Sequence, residues 1–94
     1  MYFVYILQSQ VDSSYYKGFT ENPLKRLEFH NLGLSTYTSK KCPWMLVAVF
    51  MFEHKTEALT KERKLKKYNT KSLLALIQST QNQLKIYLSG LENR

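Results

Sequence analysis

The chain has 94 residues, 44% of them hydrophobic and 14% aromatic, with seven Tyr, and fourteen Lys and Arg against seven Asp and Glu for a net charge of +7. A chain this short buries only roughly 60–65% of its unfolded surface, so it holds one modest core, and its apolar content excludes a disordered polymer. The charge favours a polyanionic partner, a single cysteine (Cys42) excludes an intrachain disulfide, and no apolar run approaches the ~20 residues of a membrane span.

Tyr2–Leu7 is a run of aromatic and branched residues that predicts a strand, and Tyr15–Phe19 predicts a second. The polar segment between them, residues 9–14, makes the pair an antiparallel hairpin. The period then changes. Thr20 and Asn22 are N-cap candidates, Pro23 suits a first helical position, and a helix is predicted to His30 with Gly33 as its left-handed stop. On that helix Leu24 and Leu27 are expected to point toward the core.

Residues 34–43 are polar and basic, a loop carrying Lys40 and Lys41. Trp44–Phe52, the longest apolar run, is expected to form a buried central strand. Thr56 is expected to cap a helix running to Lys67, Asn69 and Thr70 to break it, and Lys71–Ser79 to form another. The order β-β-α-β-α-α predicts an α+β fold, a small three-stranded antiparallel sheet flanked by helices. Residues 1–78 form its domain, and 79–94 a C-terminal helix or tail packed on it or trailing from it. The Met1–Leu7 run is too short for the core of a secretory leader, so a cytoplasmic chain without a membrane partner is expected.

Glu62 is the residue that packing does not want. At ~100° per residue, Ala58, Glu62 and Leu65 fall on one side of their helix, and a carboxylate on an apolar stripe needs a cation, a metal or a strong hydrogen bond. Pairing with Lys66 one turn on is the plain explanation. Arg26 and His30, four residues apart, share a helix side and suit phosphate binding and proton transfer, although taken alone they are better explained by an ordinary polar face with His30 near the helix end. Taken alone, Tyr5 and Tyr16 are ordinary strand aromatics. No Cys/His grouping has zinc spacing, and the three glycines form no phosphate loop. A nucleophilic Cys42–His30 pair has no support from spacing.

Together these residues resemble the GIY-YIG nuclease superfamily, in particular its small single-domain bacterial branch. The resemblance extends to the catalytic domains of the excision-repair nicking subunit and of homing endonucleases. The two name-giving tripeptides are matched by Val4-Tyr5-Ile6 and Tyr16-Lys17-Gly18, with Val for the first Gly and Lys for the central Ile. An Arg on the following helix is matched by Arg26, a His-Asn pair by His30-Asn31, a Pro-Trp pair by Pro43-Trp44. The helix carrying the metal-binding Glu is matched by Glu57-Ala58-Leu59-Thr60-Lys61-Glu62-Arg63-Lys64-Leu65-Lys66-Lys67.

The resemblance implies a metal-dependent DNA endonuclease with weak sequence preference, structure- or repair-related. On that resemblance Glu62 would hold one divalent ion, Mg2+ or Mn2+. Tyr5 orients or deprotonates the attacking water, with His30 as the proton acceptor behind it. Tyr16 binds a phosphate oxygen or the water, and Arg26 neutralises charge on the phosphorane. Lys17, Lys40, Lys41, Lys64, Lys66 and Lys67 are candidates for contact with the backbone of duplex, branched or flapped DNA. Homodimers or a larger repair complex fit the same resemblance. The family's additional Asn has Asn69 as its nearest counterpart, which is not assigned to the site. Two alternatives compete with an endonuclease: a nucleic-acid-binding module of the same fold that does not cut, and a basic adaptor that docks an acidic protein.

Overall fold

A computed structural model describes residues 1–92; the last two residues of the C-terminal segment expected over 79–94 lie outside the described residues. Three strands form one antiparallel sheet: β1 (Tyr2–Ser9), β2 (Tyr15–Thr20) and β3 (Trp44–Phe52), in the order β2-β1-β3. The helices are α1 (Pro23–Asn31), a 3-10 turn at Ser39–Lys41, α2 (Lys55–Leu65), α3 (Thr70–Ile77) and α4 (Leu84–Glu92). The α+β class and the three-stranded sheet are as expected. Among the described residues no helix is long and apolar enough to cross a membrane.

The central strand is β1, not β3. Val4 to Leu7 are buried on both faces. Val4 and Ile6 pack with Ala48 and Phe50 under Ala58 and Leu65 of α2 and Leu73 and Leu76 of α3. Tyr5 and Leu7 point to the opposite face, with Trp44 and, more loosely, Leu27 of α1. The expected central position of Trp44–Phe52 rested on its unbroken apolar run. That run is explained instead by a bulge and by a cover on its outer edge.

The bulge follows from the register. Ile6 pairs with Ala48 but Leu7 with Leu46, so Val47 is an extra residue in β3. One inserted residue reverses which side chains face which way. It places Leu46 and Trp44, rather than Val47 and Met45, on the Tyr5 side of the sheet. Met45 accordingly lies 47% exposed while Trp44 is 4% exposed.

The cover comes from the chain after α3. The Gln83 N–H donates to the Val49 carbonyl (2.8 Å), Asn82 Oδ1 accepts from Val49 N–H (3.2 Å), Asn82 Nδ2 donates to the Val47 carbonyl (2.9 Å), and Gln83 Oε1 accepts from Met51 N–H (2.8 Å). The edge of β3 is thereby hydrogen-bonded without a fourth strand. Replacing both Asn82 and Gln83 by Ala is expected to leave these backbone donors unpaired and to lower stability by about 1–3 kcal/mol. Concentration-dependent self-association in sedimentation runs, absent from wild type, is the accompanying sign of an opened edge.

Helix ends differ in detail from expectation. Asn22 caps α1 by accepting from Lys25 N–H at 3.2 Å, with Pro23 in the first turn, and Gly33 takes the left-handed conformation (φ 74°). His54, not Thr56, is the N-cap of α2 and makes no side-chain cap bond, while Thr56 offers its carbonyl to the Thr60 hydroxyl. Asn69 caps α3 through Ser72 N–H at 2.8 Å, a local role that accounts for it.

Candidate active site

Helix α1 packs on the sheet with Pro23 and His30 inward and Leu27 half-buried beside Tyr5, Leu7 and Trp44. His30 is wholly buried, whereas Leu24, expected in the core, is 40% exposed. Burying an imidazole in a small core costs stability unless both ring nitrogens find partners. Both do. Nε2 lies 3.1 Å from the Tyr5 hydroxyl and Nδ1 lies 2.8 Å from Thr38 Oγ1.

Thr38 is itself buried, and its carbonyl accepts from the Trp44 indole N–H at 3.1 Å. Asn31 ties the end of α1 to β3, accepting from Trp44 N–H (2.6 Å) and donating to the Trp44 carbonyl (3.1 Å). The Cys42 thiol donates to the His30 carbonyl at 3.0 Å, so it meets the histidine's backbone rather than its ring.

The hairpin register explains both tripeptides. Tyr5 stands opposite Gly18. The phenol ring lies across the glycine, and a Cβ there would stand 2.5 Å from Tyr5 Cζ and hydroxyl oxygen. Tyr16, paired with Leu7, sends its ring to the same place: its centroid is 4.8 Å from His30, 6.3 Å from Tyr5 and 6.3 Å from Trp44.

Arg26 joins the group from one turn earlier on α1. Its guanidinium packs 4.2 Å over the Phe29 ring, and it acts on both Tyr5 and His30. Burial raises the Tyr5 pKa above its ordinary value, Arg26 opposes this in part, and the charges of Tyr16 and Glu62 add to the rise. The phenol is therefore protonated at neutral pH, and its partner is a neutral imidazole. Burial, and after it the Arg26 charge, lower the His30 pKa to about 4 from an ordinary 6.5.

This has a consequence for stability. Between those two values the unfolded chain binds a proton that the folded chain excludes, so stability rises with pH there. The contribution is full above the unfolded value and is lost as pH falls through the folded one. Its size is about 3 kcal/mol. Thermal melts are expected to show a falling Tm from pH ~7 to pH ~4. A His30→Gln domain, less stable at neutral pH, is expected to show a shallower fall over the same range.

Glu62 sits on α2 with its side chain 18% exposed, and Lys66 Nζ approaches it no nearer than 3.9 Å. The pairing anticipated for Lys66 is thus present but loose, and most of the carboxylate's hydrogen-bonding capacity is free of that lysine. Of the causes that act on the Tyr5 pKa, the Glu62 charge is the smallest. Among the described residues no three His, Cys, Asp or Glu side chains gather into a metal cage.

Tyr5, Tyr16 and His30 are thus brought together on one face of the sheet, with Arg26 one turn before His30 on α1, whereas Glu62 lies on α2, whose Ala58 and Leu65 pack on the opposite face. Lys17 and Lys66 border a groove of about 460 Å3 beside the first group, with Tyr15, Tyr16 and Tyr37. Lys41 lies elsewhere, bound to Asp12 (3.2 Å) and the Ser14 hydroxyl (3.2 Å). Hydrogen bonds from Ser14, then Lys41, hold the Asp12 carboxyl below the usual carboxylate range. Lys40 and Lys67 are exposed and join no described cluster, and Lys64, two residues from Glu62, faces away from it on the helix. Thr38, Trp44 and Tyr37 complete the site without having been singled out for it, and Asn31 and Gly18 support it.

The family model for the GIY-YIG catalytic domain matches residues 1–74. The chain belongs to the GIY-YIG family. A UPF0213 protein of Clostridium perfringens is 41% identical over 80 residues, covering 84% of this chain and 85% of the relative. A UPF0213 protein of Staphylococcus haemolyticus is 35% identical over 78 residues, covering 82% and 94%. The solution NMR structure of a UPF0213 protein from Bacillus halodurans aligns with a TM-score of 0.56 at 31% identity, over 86% of this chain and 87% of that one. Within this GIY-YIG domain the family match contains the whole Tyr5–His30–Thr38 arrangement and Glu62. It stops inside α3, so Asn82 and Gln83, which cover the β3 edge, lie beyond it.

Proposed function

We propose that this GIY-YIG domain is an endonuclease that hydrolyses phosphodiester bonds in DNA with little sequence preference, assisted by one divalent ion, Mg2+ or Mn2+. The observation that carries the reading is the buried line Tyr5–His30–Thr38 with Arg26 alongside. An apolar trio would serve stability better at these positions, and proton transfer gives the polar one a purpose.

The Glu62 carboxylate fits such an ion. It is a hard oxygen donor only loosely engaged by Lys66, and Mg2+ commonly takes one or two carboxylates and keeps several waters. When bound, the ion would polarise the phosphate and stabilise the departing 3′ oxygen.

The rest falls to the chain's own groups. The Tyr5 oxygen orients the attacking water and takes its proton while the phenol's own proton passes to His30 Nε2. His30 must be neutral for this, and burial keeps it so. Donation of Nδ1–H to Thr38 leaves the Nε2 lone pair facing the phenol. The water oxygen bonds to phosphorus, the bond to the 3′ oxygen breaks, and that oxygen leaves as a 3′ hydroxyl after taking a proton from solvent, to which His30 later returns its own. Arg26 offers its N–H groups to the phosphate oxygens on which charge builds, and Tyr16 donates to one of them.

The test is strand scission of branched, flapped and plain duplex DNA by the purified domain, with Mg2+ or Mn2+ and with EDTA. Cleavage that requires the ion and is lost in Glu62→Ala is expected. Equal trace cleavage by wild type and Glu62→Ala would overturn the reading.

A further inference from the structure

Tyr37 is 82% exposed, the most exposed of the large apolar and aromatic side chains described. Yet it is not on a loose loop. The next residue, Thr38, is wholly buried: its N–H donates to the Ser35 carbonyl (3.2 Å), its hydroxyl lies 2.8 Å from His30 Nδ1, and its carbonyl accepts from Trp44 (3.1 Å). An exposed ring is thus mounted one residue from the buried relay. Its centroid lies 6.0 Å from that of Tyr16, with the planes inclined by 50°. These two rings, Tyr15, Lys17 and Lys66 line one groove of about 460 Å3.

Open aromatic faces beside ammonium groups suit a nucleotide rather than a bare phosphate chain: lysines hold the backbone whatever its strandedness, and rings hold bases. Stacking one base on an aromatic side chain is worth about five- to 150-fold in affinity. In a duplex both faces of a base are already covered, and extruding it costs about as much as the new stack returns. The rings therefore reward a base that is unpaired beforehand.

We infer that Tyr37 is a base-stacking residue that seats an unpaired nucleobase of the DNA beside the scissile phosphate, with Lys17 and Lys66 on the adjoining phosphates. Strands with unpaired nucleotides are then preferred over blunt duplex. This rests on the nuclease reading of the same site, but its test needs no cleavage.

Fluorescence anisotropy of the metal-free domain in EDTA at low salt supplies that test. The probes are a labelled single strand, its blunt duplex, and the same strand carrying abasic units. Wild type is expected to bind the single strand more tightly than the duplex. Tyr37→Ala weakens single-strand binding about tenfold or more and duplex binding far less, and Tyr37→Trp keeps it. The abasic strand should bind wild type about tenfold or more weakly than the intact strand does, a comparison that needs no variant to fold. Equal losses on single strand and duplex, or abasic binding as tight as intact binding, would overturn the inference. Selective stacking without metal-dependent scission would sink the nuclease reading and leave Tyr37 as a base-binding residue.

Discussion

Replacing Tyr5 by Phe is expected to slow strand scission about 10²- to 10⁴-fold while leaving the domain folded. The substitution removes one oxygen. The ring keeps its place across Gly18 and its packing with Leu7 and Trp44, so the sheet has no reason to change. What is lost is the group that orients the attacking water and hands a proton to His30. The His30 nitrogen then lacks a partner in a buried place, which costs about 1–3 kcal/mol and lowers Tm without altering the circular dichroism spectrum. DNA affinity should hardly move, because Tyr5 is 1% exposed and does not form the groove wall.

Single-turnover rates at saturating Mg2+ separate these effects. His30→Ala should lower the rate to a similar extent, and the double variant should be little worse than either, as for groups that act as one unit. A Tyr5→Phe rate within about threefold of wild type would be too small for general base catalysis and would make the Tyr5–His30 bond purely structural.

The sites where this chain was legible in its sequence are those where one side chain contradicts its own element. Glu62 breaks an apolar helical stripe, and that conflict is visible without any structure. His30 gives no such signal, since a histidine at a helix end is favourable on the surface too; only the family pattern, and then its complete burial, separates it from a surface residue. Thr38 is less legible still. It lies in a polar, basic stretch where hydroxyls are expected to meet water, and nothing local reports that its partner sits eight residues earlier.

The strand assignments succeeded because aromatic and branched runs carry their own signal, but strand order did not follow from them. A continuous apolar run predicts burial on both faces and does not say whether the outer edge is closed by a strand or by side chains. For Trp44–Phe52 the closure comes from Asn82 and Gln83, more than 30 positions away, two polar residues in a stretch that resembles a tail. The Val47 bulge is equally silent, because it depends on how β3 meets β1.

Gly18→Ala is expected to abolish detectable scission and to lower stability by about 1–3 kcal/mol, a larger change than one methyl on an edge strand would otherwise bring. The new Cβ would stand 2.5 Å from the end of the Tyr5 ring. A flexible surface side chain would swing away at little cost. Tyr5 has nowhere to go: it is 1% exposed, packed with Leu7 and Trp44, and tied to His30 through its hydroxyl. Either the ring tilts, and the 3.1 Å contact to His30 breaks, or β2 moves away from β1. The first outcome leaves a folded, inactive domain, and the second a destabilised hairpin.

The pH dependence of unfolding distinguishes the two outcomes. A tilted ring exposes His30 and returns its pKa toward the ordinary value, so the fall in Tm toward pH ~4 becomes shallower. A shifted strand keeps His30 buried and leaves that slope unchanged. Wild-type scission by Gly18→Ala, with an unaltered melting curve, would mean that the ring has room to yield and that this glycine is not what sets the position of Tyr5.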